Sequence, residues 1–295
     1  MDGLLLNTED IYTLCADNVL LKHGRPRLPW SVKAQLMGVP GSSTGDVFHQ
    51  WAQLPISREQ YAREQGEQQK IHFAECEPLP GVEKLLRDLN SARTTAGLPV
   101  EIALASSTSK HNYDLKVVRP ESKALLELIP KEHRVLGDDP RVRKGRGKPA
   151  PDIYLCALQI LNSKLSEGSP PIAPEECLVF EDSVPGVEAG RRADMRVVWV
   201  PHPGLYAEFR DRKPEVLAGR SGLVKIGDEE QLGEVGDGWA EYLASLENFP
   251  YAKFGIEVHS MQDRIEQGWA EVEPGQAWAN RAARRPDPQP KSLMK

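Results

Sequence analysis

Apolar residues in the first quarter of the chain recur at helical spacing and never settle into alternation. Between Ile11 and Lys22 they fall at Ile11, Leu14, Cys15 and Val19, with Asn7 or Thr8 placed to cap the segment and Gly24 to end it. Ser31 is placed to cap a second short helix that stops at Gly38. Ser57 with Gln60 forms a capping-box pattern before a polar helix reaching about Ala74. Residues 10–75 therefore predict several helices and no strand. The pattern then changes. Pro80-Gly81 opens a helix with Val82, Leu85, Leu86 and Leu89 on one face. Val100–Ala105 is an apolar run broken only by Glu101 and predicts a strand. Further helices are predicted over Lys123–Ile129, Asp152–Leu161 and Val184–Ala193, and strands at Val135-Leu136, Cys177–Phe180 and Val197–Val200. Apolar, non-alternating strands interleaved with helices predict an α/β fold whose parallel sheet is covered on both faces. Residues 207–240 are polar and Gly-rich, and Ala240–Ile256 regains apolar side chains. Beyond Glu257 the apolar surface is too sparse to offset the entropy of ordering, which predicts a disordered tail over 257–295.

Composition narrows this picture only slightly. At 295 residues the chain is long enough for one large domain or two unequal ones. A net charge of -6 argues against nucleic acid or an anionic membrane as the main partner, but a local site can still oppose it and bind an anion. The four cysteines are widely and irregularly spaced, as expected of reduced thiols in a cytoplasmic protein. No run approaches the roughly 20 apolar residues of a membrane span. The N-terminus lacks the charged-then-apolar pattern of a secretory signal.

Ligands of open parallel sheets sit beyond the carboxyl ends of the strands. Ser106, Ser107, Thr108 and Ser109 follow one predicted strand, and Glu181 and Asp182 follow another. A basic Gly-rich loop, Lys144-Gly-Arg-Gly-Lys148-Pro, precedes the Asp152 helix, and Asp2-Gly3 stands at the start. Carboxylates that can hold a hard cation, a lysine that offsets phosphate charge and hydroxyls that donate to its oxygens suit a phosphomonoester beside Mg²⁺. Taken singly, a serine cluster is an ordinary loop, a Glu-Asp pair an ordinary helix start and a basic loop an ordinary solvated one. Their order relative to the strands carries the information.

That order resembles the haloacid-dehalogenase (HAD) superfamily, in the subclass with an inserted helical cap and near the pseudouridine-5′-phosphatase and beta-phosphoglucomutase branch. The stretches that carry the resemblance are MDGLLLNTE (1–9), LPGVEKLL (79–86), IALASSTSK (102–110), VLGDD (135–139), GKPAPDIYL (147–155), CLVFEDSVPGVEAG (177–190), VVWVP (197–201) and SLENFPYAKFGI (245–256). The resemblance implies a Rossmann-like core over 1–9 and 76–225, a helical cap over 10–75, and a C-terminal extension over 226–256 that packs on the core. It implies Mg²⁺-dependent hydrolysis of a small phosphomonoester, whether nucleotide-like, sugar or polyol phosphate, by a monomer. Asp2 matches the general acid/base, with its backbone carbonyl as a metal ligand. Ser106 matches the phosphate-binding hydroxyl, with the Ser107 amide nearby. Lys148 matches the lysine that steadies phosphate, and Glu181 and Asp182 match the acidic pair that holds Mg²⁺ directly or through water.

The family motif is Asp-x-Asp-Gly, and Met1 stands at x. On this reading the nucleophilic aspartate and the first core strand are missing, and the expectation is no aspartyl-phosphate and negligible turnover. Candidate cap contacts to substrate are His23, Arg25, Arg27, Trp30, Lys33 and His49. Two rivals remain open: a phosphomutase of the same fold, and a non-catalytic protein that binds a phosphorylated metabolite. Every one of these readings requires Asp2, Ser106, Lys148, Glu181 and Asp182 to converge on one rim.

Overall fold

The computed structural model describes residues 1–38, 41–165 and 170–259; most of the expected tail, from residue 260 on, lies outside them. Four helices come first: α1 (Thr8–Lys22), α2 (Trp30–Lys33), α3 (Gly41–Ala52) and α4 (Arg58–His72). There follow α5 (Val82–Ser91), β1 (Arg93–Thr94), β2 (Leu104–Ala105), α6 (Lys110–Lys116), α7 (Pro120–Glu127), β3 (Arg134–Val135) and α8 (Asp152–Ser163). Then come β4 (Leu178–Glu181), α9 (Val184–Arg192), β5 (Arg196–Trp199), α10 (Pro203–Phe209), α11 (Lys213–Leu217), β6 (Ala240–Tyr242) and β7 (Ile256–Glu257).

Local chemistry moves several of the expected boundaries. Asn7 precedes α1 but does not cap it. Its Oδ1 accepts the Glu77 N–H at 2.8 Å and so ties the start of the helix to the chain leaving α4. Pro29, not Ser31, stands before α2, which leaves Ser31 inside the helix. Ser57 does cap α4, accepting the Gln60 N–H at 3.1 Å, while the Gln60 side chain turns to Glu64, so half of the expected box forms. Helices α6, α10 and α11 and strand β6 have too few apolar residues to register as a pattern. Ser109 starts α6 by accepting the Asn112 N–H at 3.3 Å, a role hidden inside the serine run.

The parallel strands form two hydrogen-bonded pieces, β4-β5-β6 and β2-β3, and β1 pairs antiparallel with β7. The expected strand Val100–Ala105 is a strand only at Leu104 and Ala105. Those two residues face β3, whereas the apolar residues before them have no ladder partner among the described residues, and a strand needs one. The expected Val135-Leu136 strand begins one residue earlier, at Arg134, for the same reason.

Three apolar clusters result. The first joins Met1, Leu4, Leu5 and Leu6 to the buried face of α5, to Leu104 and Val198, and to Leu246 and Phe249 of the C-terminal stretch. The second packs α8 and α9 against β4 and β5 around Trp199, and it takes in Ala34 and Met37 from the α2 region. The third holds Val19, Leu20, Phe48, Ala52 and Tyr61 together between α1, α3 and α4. The α2 segment thus reaches into the sheet's own core while Lys33 ties it to α1 through Thr13. Trp30 stacks on His202 with ring centroids 4.6 Å apart and lies over Gly204, where a Cβ would come within 2.0 Å of the indole. All four cysteines are free.

Candidate functional site

The segments before and after the strands meet at one cavity of about 770 Å³, whose lining includes Met1, Asp2, Ser106, Ser107, Lys148, Glu181 and Asp182. Each is delivered by a distinct piece of backbone. Residues 1–6 fold back tightly, with Leu5 N–H donating to the Met1 carbonyl at 2.9 Å. Gly3 takes a positive φ of 61° and sits so close to the acidic residues that a Cβ would lie 2.3 Å from Asp182 Oδ2. Ser106 extends β2, its N–H bonded to the Val135 carbonyl at 2.9 Å, and its Oγ accepts the Thr108 N–H at 3.3 Å. Glu181 ends β4. Ser183 then caps α9 by accepting the Gly186 N–H at 3.2 Å. The indole N–H of Trp199 donates to the Asp182 carbonyl at 3.0 Å and fixes that turn from below.

Two buried lysine–carboxylate pairs organise the floor. Lys148 donates to Glu181 Oε1, which also accepts the Tyr154 hydroxyl. The second Glu181 oxygen accepts the Ser183 N–H and hydroxyl at 3.3 and 3.0 Å. Both oxygens of Glu181 are therefore occupied by protein donors. Burial opposes ionisation of Glu181, but the Lys148 ammonium outweighs it and holds the carboxyl below its ordinary value. Asp182 is the reverse case. Burial pushes its carboxyl well above the carboxylate range, and the negative charges of Glu181 and Glu9 push it further. The second pair joins Lys116 Nζ to Asp2 Oδ1 at 2.6 Å. Burial would raise Asp2, yet Lys116 brings it below its ordinary value.

Sequence reasoning missed Lys116, Tyr12 and Tyr154. The motif stretches contain Tyr154 but gave no reason to single it out, and nothing in the pattern around Lys116 marks a lysine that ends a short helix with its head inward. Of the candidate cap contacts, Lys33 and His49 line the cavity, whereas His23, Arg25, Arg27 and Trp30 do not. His23 pairs with Glu64 at 2.9 Å and Arg27 with Asp17 at 3.1 Å. Lys33 is held by Thr13 Oγ1 at 2.6 Å and Glu9 at 3.2 Å.

Among the described residues, no three Asp, Glu, His or Cys side chains converge as a ready-made metal cage. The oxygens that could hold a cation are the Asp182 carboxylate, crowded by the like charges of Glu181 and Glu9, and those of Asp2, which lines the same cavity. That sparse oxygen set suits Mg²⁺, which takes one or two carboxylates and fills the rest of its octahedron with waters and substrate phosphate.

The sequence profile of the haloacid dehalogenase-like hydrolases matches residues 1–200. The chain belongs to this family of hydrolases. It is 37% identical over 237 residues to a Saccharomyces cerevisiae protein named "Probable pseudouridine-5′-phosphatase", covering 80% of this chain and 94% of that one. It is 32% identical over 232 residues to (DL)-glycerol-3-phosphatase 2 of Arabidopsis thaliana, covering 78% and 88%. The solved structure of a candidate beta-phosphoglucomutase from Thermotoga maritima superposes with a TM-score of 0.52 at 25% identity, covering 84% of this chain and 92% of that one. The α/β architecture with parallel strands and flanking helices is that of the HAD hydrolases, and the family makes this chain a phosphoric monoester hydrolase by descent.

Proposed function

We propose that the protein hydrolyses a small phosphomonoester, with Mg²⁺, at the 770 Å³ cavity. What supports this reading is the meeting of four distant stretches, carrying Asp2, Ser106, Lys148 and Asp182, around that one space. In it the Ser106 hydroxyl, the Ser107 N–H and the Lys148 ammonium hold the phosphate and offset its charge. Asp2 gives a proton to the leaving oxygen and later takes one from water. Asp182 and the Asp2 carbonyl would hold Mg²⁺, with Glu181 acting through its grip on Lys148. Bound there, the cation would screen the phosphate charge. The aromatic and amide side chains of Phe48, Tyr61, Gln65 and Gln69 also line the cavity and suit a leaving group larger than glycerol, such as a nucleoside or sugar.

Asp2 is committed to Lys116 and Glu181 to Lys148, so neither offers a free carboxylate for in-line attack on phosphorus. The test assays the protein on a phosphomonoester panel with and without Mg²⁺. Mg²⁺-dependent release of phosphate is expected, and no release from any member of the panel would remove the phosphatase reading. A phosphomutase is the second reading, favoured by the likeness to the Thermotoga protein. A bisphosphate requirement for turnover would mark it.

A further inference from the structure

Lys116 is 0% exposed and is not among the residues that line the cavity, so it cannot touch a substrate there. Its ammonium has three N–H donors, and three oxygens take them: Asp2 Oδ1 at 2.6 Å, the Tyr12 hydroxyl at 2.8 Å and Thr108 Oγ1 at 3.1 Å. The same nitrogen lies 4.7 Å from the ring centres of both Tyr12 and Phe73. No donor is left over for a ligand, and the head group has no room to turn.

Such a lysine is a poor device for stability. Desolvating an ammonium consumes most of what its ion pair returns, and an apolar side chain of similar volume would fill the space at least as well. What the arrangement does supply is orientation. We propose that Lys116 is the positioning residue of Asp2, which rests on the phosphatase reading above. With Oδ1 clamped by a fixed cation, and the Thr8 side chain hydrogen-bonded to the same carboxyl, the Asp2 side chain, 21% exposed, is held in one orientation at the cavity wall. Thr108 extends the clamp. Its hydroxyl accepts from Lys116, while its N–H donates to the Ser106 hydroxyl at 3.3 Å. The acid and the phosphate-holding serine are thus set at a fixed spacing through one pair of neighbours.

The chemical consequence falls on one step. As an attacking oxygen bonds phosphorus and the ester P–O bond breaks, the ester's electron pair passes to the leaving oxygen, which takes the proton from the Asp2 carboxyl and leaves Asp2 as a carboxylate. Water then gives that carboxylate a proton as its own oxygen joins phosphorus and the bond to the first attacking oxygen breaks, which frees phosphate. Misaiming the Asp2 carboxyl harms this transfer only where the leaving group needs a proton. An alkoxide needs one, whereas p-nitrophenolate departs without it.

The experiment compares Lys116→Met with the unsubstituted protein on ribose 5-phosphate and on p-nitrophenyl phosphate. The expected result is a kcat loss of roughly 100-fold on ribose 5-phosphate and under about threefold on p-nitrophenyl phosphate, with KM little changed. Should Lys116→Met fail to fold, Tyr12→Phe keeps the ring and removes one of the three oxygens, and it is expected to show the same bias more weakly. Equal losses on both substrates would assign Lys116 a merely structural part, and no loss on ribose 5-phosphate would deny it any; either result overturns the proposal. An unsubstituted protein inert to both substrates would overturn the phosphatase reading and this role with it.

Discussion

The two pieces of parallel sheet arise from similar apolar runs and end very differently. In one, Leu178–Glu181 and Arg196–Trp199 pair residue for residue over four positions, and β6 closes the far side of β5. In the other, the equally apolar Val100–Ala105 pairs with β3 only at Leu104 and Ala105. Ile102 and Ala103 stay half-buried, while Val197, Val198 and Trp199 are fully buried. An apolar run reports that a segment is to be buried. Whether it becomes a strand depends on a neighbour that can satisfy its N–H and C=O groups. The site straddles both pieces, with Ser106 on the short one and Glu181 and Asp182 on the long one.

The largest expected effect comes from cutting into the better-paired piece. Trp199→Ala removes a side chain with no exposed surface and frees the Asp182 carbonyl, and should cost about 3–5 kcal/mol. Ile102→Ala should cost about 1 kcal/mol, since that residue is only half-buried. Urea unfolding of the two variants measures the difference, and similar losses would break the comparison. Amide exchange sharpens it. The Val197–Trp199 amides, on a strand flanked on both sides, should exchange more than about tenfold slower than those of Ile102 and Ala103. Comparable rates would mean that the short piece is as well held as the long one.

The smallest effect concerns how β6 is held in place. Arg191 of α9 binds Asp237, which also accepts the Trp239 N–H at 3.0 Å just before β6. The Arg191 hydrogen bond, against a burial effect of opposite sign, lowers the Asp237 carboxyl to about 2. A carboxyl lowered on folding stabilises above its unfolded value, near 4, and loses that contribution as pH falls through its folded value. Asp237→Asn should therefore cost about 1 kcal/mol at pH 6, solvent screening allowed for, and its deficit should shrink between pH 4 and pH 2. A deficit constant over that window would show that the pair does not anchor β6 through charge.

Much of the architecture was legible because it is written in long apolar periods. Val82, Leu85, Leu86 and Leu89 do line the buried face of α5, and Val184 does begin α9. The residues that line the cavity stand out in the sequence for a different reason: Ser106, Glu181 and Asp182 follow or end strands, and the order of strands brings them to one edge. What was not legible has physical causes. Helices α6, α10 and α11 are too short to show a period and hold their shape through caps and tertiary contacts. The truncation of the Val100–Ala105 strand depends on a neighbour, which a local pattern cannot report. Lys116 was invisible because a lysine ending a short helix ordinarily faces water, and only coordinates show its head turned under Asp2. The place of Glu181 at the end of its strand suggests a metal ligand, directly or through water, whereas the bonds of its oxygens to Lys148, Tyr154 and Ser183 are visible only in the structure.

The indole of Trp199 is sealed from solvent, and its one polar atom rests on the carbonyl of Asp182. It is thereby a fluorophore wired to the acidic rim. Whatever gathers charge at Asp182 alters the field across that ring, so titrating cation or anion into the cavity should register as a change in ultraviolet emission without any label being attached.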